Sequence, residues 1–424
     1  MVSRRRNLGF SCRRRAPASE TIAIPLGLAS SKPWAVPERR IVQAAVAASG
    51  IGVLPLDAVY EILLRLPAKL ICRLRVVCRL WRSLLSDMQF AAAHAARHPR
   101  PLVIAGYEQN AGDGTLVNIM DLSGQIVKQV RRIDGSDKVM SMDLDLVCVK
   151  NVDSGRYRFL NPATGAVYQL PTFFADEHMG LSFNLIGEPK YILGQVHSTG
   201  EYKVLRIFFH LSCSLHCQLF EVCTLNSGSH SRWRRKESPG EFVAFCKFTR
   251  LVIDGIVYLL CSDLHCSITF HDQVFEKDMI ITFNLETEAW GPRIRGPPIS
   301  FPNDAAQMFH NFGLPKTKQL SLANLHGSLA VVHGPAPYMD FWILMDIDKG
   351  QWVKQYSMQF EQYGHLKYVH PLLVLGDGRI VVHQEDNGFL QIYDPRTNTF
   401  TNSVELNHYS AVNMYTGSLL SLDK

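Results

Sequence analysis

Six times after residue 100 one local pattern returns: a short β-rich run ends in Asp, Asn or Thr, turns, and resumes as strand. The anchors are Asp121-Leu122, Asn161-Pro162, Thr224-Leu225, Asn284-Leu285, Asp346-Ile347 and Asp394-Pro395. They stand 40, 63, 60, 62 and 48 residues apart, the period of a four-stranded unit with loops of variable length. Six residues on from each anchor come Val127, Val167, His230, Trp290, Trp352 and Phe400, and Trp233 lies just past His230. Asx and Pro-Gly chemistry supplies the turns, most plainly in Asn161-Pro162-Ala163-Thr164-Gly165 and Asp394-Pro395-Arg396-Thr397-Asn398.

A second hairpin, built on glycine, precedes several anchors: Asp254-Gly255, His326-Gly327 and Gly376-Asp377-Gly378. Glycine there permits the positive φ of a tight hairpin. Two hairpins per unit make four strands. The last segment, Val412 to Leu422, has a glycine turn but no anchor after it. Pairing it with the early strand near Leu102 to Ile104 would close a ring and leave no long edge exposed. The expected fold class is therefore α+β multidomain, with a large all-β propeller-like domain of six or seven irregular blades over residues 98–424. A large sandwich or stacked sheets is the alternative.

Before residue 98 the period changes. Pro55 suits the first turn of a helix, and Pro67 ends that helix and opens the next. Leu56, Val59, Ile62, Leu63 and Leu66 follow helical spacing, as do Leu70, Ile71 and Leu74, then Val76, Val77, Leu80, Trp81, Leu84 and Leu85. Three short amphipathic helices over residues 54–90 are the economical prediction. So few residues bury little surface, so part of the apolar face is expected to belong to a partner.

The run Leu54-Pro55-Leu56-Asp57, Ile62-Leu63-Leu64-Arg65-Leu66-Pro67, Leu70, Arg73, Val76-Val77-Cys78-Arg79, Trp81-Arg82-Ser83-Leu84 and Ser86-Asp87 resembles an F-box. The later repeats resemble the F-box-associated domain of a large plant family, without Gly-Gly kelch signatures or Trp-Asp repeat ends. The resemblance implies a substrate-recognition subunit of a Skp–cullin–F-box ubiquitin ligase, with a second protein held by the propeller. It implies that Leu54, Pro55, Ile62, Leu63, Leu66, Pro67, Leu70 and Val76 face a Skp-type adaptor, which holds a cullin. Val59, Leu74, Val77, Trp81 and Leu84 are then the module's own core, Trp81 because a large aromatic fills so small a core. An F-box scaffold or inhibitor that binds the adaptor without driving degradation is the alternative.

The net charge of +6 divides unevenly: +7 for residues 1–50, +5 for 51–100 and −6 for the remainder. An acidic large domain argues against general nucleic-acid binding. No apolar stretch reaches membrane-spanning length. Residues 1–50, with Arg4-Arg5-Arg6 and Arg13-Arg14-Arg15, read as a disordered basic tail, as a nuclear import patch, or as an organellar transit peptide. Cytoplasm and/or nucleus is the expected location, since ten scattered cysteines and no Asn-x-Ser/Thr acceptor fit reduced thiols.

No cofactor or metal is expected. His210, Cys213, His216 and Cys217 cluster, as do Cys261, His265 and Cys266, but neither has the spacing of a structural zinc site. No catalytic motif appears, and Asp143 with Asp145 or Glu385 with Asp386 read as solvated turn acids. For the target surface, loop aromatics are the candidates: Phe301, Phe309, Phe312, Tyr338 and Trp342, with Phe173-Phe174 also noted.

Overall fold

The computed structural model describes residues 56–66, 68–97, 101–107, 114–132, 134–179, 185–211, 216–225, 231–244, 247–261, 279–299, 320–334, 338–359, 369–384, 388–406, 409 and 411–415. Among the described residues four helices come first: α1 (Leu56–Leu64), α2 (Ala68–Leu74), α3 (Arg79–Leu85) and α4 (Met88–Arg97). The fourth corrects the expectation of three. Asp87 explains it, since its Oδ1 accepts from the backbone N–H of Gln89 at 2.7 Å and of Phe90 at 3.2 Å, which caps a new helix. Cys78 starts α3 in the same way, its Sγ accepting from Trp81 N–H at 3.5 Å.

The strands form six antiparallel sheets. Strands a to d are Asp137–Asp143, Leu146–Asn151, Tyr157–Leu160 and Val167–Gln169 in blade 2; Leu185–Gln195, Tyr202–Leu211, His216–Thr224 and Arg234–Lys236 in blade 3. Blade 4 has Arg250–Ile253, Ile256–Leu260, Met279–Asn284 and an outer edge split into Ala289–Trp290 and Ile294–Arg295. Blade 5 has Leu320–Leu325, Ser328–His333, Tyr338–Asp346 and Gln351–Gln359; blade 6 has Val369–Val374, Ile380–Gln384, Phe389–Asp394 and Thr399–Glu405. Blade 1 is composite. Ala411–Tyr415 supplies strand a, and Leu102–Gly106, Thr115–Asp121 and Ile126–Arg131 supply the rest. Leu102 pairs with Tyr415 and Gly106 with Ala411. The ring thus closes with six blades, by the pairing the sequence suggests.

Each anchor sits at the turn from strand c to strand d, and the chemistry is local. Asp121, Asn161, Asn284, Asp346 and Asp394 each accept, through Oδ1, a hydrogen bond from an N–H two residues on, the Asx turn. Thr224 differs: its Oγ1 accepts from Arg234 Nη2 at 3.1 Å. The glycine turns join a to b, where Asp254 and Gly255 (φ 48° and 76°) and His326 and Gly327 (55° and 80°) take the positive φ pair of a two-residue hairpin.

The apolar core consists of layers between neighbouring blades. Val139, Val147 and Leu160 of blade 2 meet Ile104, Leu116 and Ile119 of blade 1, and Val381, Leu390 and Ile392 of blade 6 meet Val103, Met120 and Val412 on the other side of blade 1. Three outer-strand tryptophans add a clasp. Trp233 Nε1 donates to Pro171 O (2.9 Å), Trp290 to Glu237 O (2.7 Å) and Trp352 to Arg295 O (2.8 Å). In each case an indole N–H ties one blade to the end of the blade before it. Val127 and Val167 do not continue this pattern, being 50% and 37% exposed.

Candidate functional site

In the helical module, Leu63, Leu64, Ile71, Leu85, Phe90 and Ala91 are buried. Phe90 stacks on His94 (centroids 6.2 Å apart), whose Nε2 lies 2.7 Å from Leu66 O. Arg75 donates to Leu85 O from Nε (3.1 Å) and Nη2 (2.8 Å), satisfying a carbonyl left over at the end of α3. With the core filled this way, other apolar side chains remain outside: Ile62 is 49% exposed, Leu70 42%, Val76 85% and Val77 62%. Leu66 is half-buried. Arg65, Arg73, Arg79 and Arg82 are exposed around them.

Two assignments change. Leu63, expected to face a partner, is an interior residue at 2% exposure, because it lies one position and about 100° round α1 from Ile62. Val77, expected inside, lies outside in the turn before α3. Val59, Leu74, Trp81 and Leu84 are half-buried. Leu54, Pro55 and Pro67 lie outside the described residues. The sequence reading missed Leu64, Leu85 and Phe90 as core. The signal available for Phe90 was Asp87 three residues before it, at capping distance.

In the ring, antiparallel order places a–b and c–d turns on one face and b–c and d–a connections on the other. The strand ends joined by the longest stretches of sequence, 169 to 185, 236 to 250, 260 to 279 and 295 to 320, all lie on the second face, while the longest stretch joining ends on the first runs from 224 to 234. Tyr338 opens strand c of blade 5 at the long-connection face and is 48% exposed. Trp342, expected on the target surface, instead packs half-buried among Leu322, Val331 and Trp352 between blades 4 and 5. Strand alternation turns it inward. Phe301, Phe309 and Phe312 lie outside the described residues.

One connection on this face is held firmly. Glu221 (0% exposed) accepts from Arg206 Nε at 3.0 Å, from Arg206 Nη2, and from Ala175 N–H at 2.9 Å, while His178 Nδ1 lies 2.6 Å from its Oε1. Arg206 lies over the Trp233 ring at 4.0 Å and donates to Phe173 O at 3.4 Å. These contacts pin residues 171–179 and leave Phe173 72% and Met179 52% exposed. Sequence gave no hint of a buried carboxylate inside a strand.

Among the described residues no group of three or more His, Cys, Asp or Glu is placed to hold a metal ion. His210 pairs across the ladder with Cys217, while Cys213, His265 and Cys266 lie outside the described residues. Asp145 accepts from Tyr202 Oη at 2.8 Å beside a turn. Among the described residues no helix is long and apolar enough to cross a membrane.

Residues 126–415 match the family described as F-box associated beta propeller domain, and residues 51–91 match the F-box domain. The chain is a plant F-box protein. Its relatives include F-box protein CPR1 of Arabidopsis thaliana, 23% identical over 360 residues, covering 81% of this chain and 82% of that protein. F-box only protein 12 of the same plant is 25% identical over 373 residues, covering 83% and 76%. A putative F-box protein from Arabidopsis is 28% identical over 219 residues, and there the match spans about half of each chain, 50% and 52%. In this F-box protein the module that in general binds a Skp-type adaptor precedes a recognition domain. That is the general build of a ligase substrate-recognition component, and members of the family typically act as adaptors without chemistry of their own.

Proposed function

We propose that this F-box protein docks a Skp-type adaptor, and through it a cullin, with Ile62, Leu66, Leu70 and Val76, and presents a target protein on the long-connection face of the propeller. The supporting observation is the exposure of Ile62, Leu70, Val76 and the neighbouring Val77 on a small module whose core is already filled by others. Monomeric surfaces rarely gather such residues without a partner. The exposed arginines add a basic rim that suits an acidic adaptor and speeds encounter more than it tightens the complex.

For the target, chain direction supports the choice of face. The polypeptide enters the ring at Leu102, at the tight-turn end of its strand, which is the face opposite the long connections. Phe173, fixed by the Glu221 contacts, is a pre-ordered aromatic there. Catalysis by such an assembly is proximity: holding a lysine-bearing protein near a charged conjugating enzyme raises its effective concentration.

The test is co-purification of the intact protein with a Skp-type adaptor, beside a known F-box protein as control. Recovery of the adaptor by the control alone refutes docking. If the adaptor binds yet no captured propeller partner changes in ubiquitination when residues 51–97 are deleted, the receptor role fails while docking stands.

A further inference from the structure

The six inner strands enclose a central channel. Its lining takes residues from every blade, among them Ser141, Asp143, Arg250, Asn324, His370 and Asn413, with Phe248 at one side. The cavity is about 160 Å³, the room of roughly five waters at ~30 Å³ each. Drug-sized sites start at about 300 Å³, so this space suits a group of side-chain size.

Levels along the channel follow from counting back from the a–b turn of each blade. Asp143 is the last residue of its inner strand, whereas Arg250 stands three and His370 four places before the end of theirs. At ~3.3 Å per residue this separates Asp143 from Arg250 and His370 by roughly 10 Å along the axis. Arg250 reaches further still: its Nη1 donates to Tyr191 O at 2.9 Å, and Tyr191 stands four places before the end of its strand. The guanidinium is therefore level with His370, which stacks on Phe248 at 4.4 Å with an interplanar angle of 29°. This is the end of the channel at the face where strand d of one blade passes to strand a of the next.

At that end Arg250 supplies the hydrogen-bond donors. A guanidinium has five N–H donors, and Arg250 commits Nη1 to Tyr191 O while remaining half-buried on the channel wall. Asn413, two places before the end of its strand, lies nearer the other end, where it gives one amide N–H to Met142 O at 2.8 Å and its Oδ1 accepts from Met414 N–H at 2.8 Å. The planar fork of Arg250 matches a carboxylate in particular.

We infer that the central channel is a binding site for a single carboxylate group, held by Arg250 beside the Phe248–His370 stack and admitted from the long-connection face. The source is either a free small acid or an acidic side chain or C-terminus of a polypeptide lying across that face. The polypeptide source rests on the target-presenting reading above; the carboxylate site itself does not.

Saturation-transfer NMR and titration of the purified full chain with N-acetylglutamate and its isosteric amide N-acetylglutamine test the site directly. Binding of the acid and not the amide is expected, with Arg250→Met weakening it about tenfold or more, the loss of a charged hydrogen-bonded contact. Arg250→Lys keeps the charge without the fork and should fall between. His370→Gln serves as a second variant if Arg250→Met fails to unfold cooperatively. Equal binding of acid and amide overturns the inference, as does unchanged affinity in a folded Arg250→Met. A peptide carrying Glu in mid-chain, compared with acetate alone, separates the sources. Tight peptide binding with weak acetate binding assigns a polypeptide, and equal affinities assign a free acid. Failure of adaptor docking in the earlier experiment leaves all these outcomes unaffected.

Discussion

The triple substitution Ile62→Ala, Leu70→Ala and Val76→Ala should leave the fold intact and disable adaptor binding. Burying an aliphatic side chain fully is worth about 1.5–3 kcal/mol. With 49%, 42% and 85% of these three still exposed, on the order of 3–5 kcal/mol remains to be gained by contact. Alanine keeps its own Cβ, and ordering at the interface takes a share. About 2–3 kcal/mol of loss is left, roughly 30- to 150-fold in affinity. Calorimetric titration of a purified Skp-type adaptor into wild type and variant measures it, with thermal unfolding of each as the control. The contrast is Leu63→Ala, one residue from Ile62 but 2% exposed, which should cost about 2–5 kcal/mol of stability. A folded triple variant that binds within about threefold of wild type would refute the assignment of this ridge.

Glu221→Ala leaves Arg206 and His178 buried without their carboxylate and should destabilise the ring by about 3–5 kcal/mol in urea denaturation; a loss under about 1 kcal/mol would show that water replaces the carboxylate. Truncation after Tyr409 removes strand a of blade 1 and exposes the edge of Leu102–Gly106, so size-exclusion chromatography should show aggregates instead of a monomer. Burial works to raise the Glu288 carboxyl, but hydrogen bonds from Arg234, Lys236 and Lys203 outweigh it and hold it at about 2 against a usual 4.5. Its folded value is depressed, so the stability it contributes is complete above about pH 4.5 and is lost as pH falls toward 2. Glu288→Gln should flatten the acid limb of the melting-temperature profile in that window, and an unchanged limb would sink the assignment.

The repeat was legible because its cause is local. An Asp or Asn side chain accepts from N–H groups two or three residues on, whatever the rest of the chain does, so Asp121, Asn161, Asn284, Asp346 and Asp394 carry their turns in the sequence. The closing strand was legible for a related reason, since a ring of hairpins with one strand short at its end has a single edge free to accept it. Within the helical module the aliphatic positions could be read but their direction could not. Ile62 and Leu63 are adjacent and equally apolar, and only the folded module separates them, leaving Leu63 2% and Ile62 49% exposed.

The amino-acid order alone therefore indicated which segments turn, that a four-stranded unit repeats six or seven times, and that a helical module of a known kind precedes them. These follow from contacts a few residues long or from periodicity. Folding in three dimensions decided the rest: that Trp233, Trp290 and Trp352 clasp neighbouring blades, that Glu221 is a buried anchor, and that Arg250 and His370 share one mouth of a channel. Those partners lie tens to hundreds of residues apart, and the free energy of bringing them together belongs to the closed ring, with no trace in any local pattern.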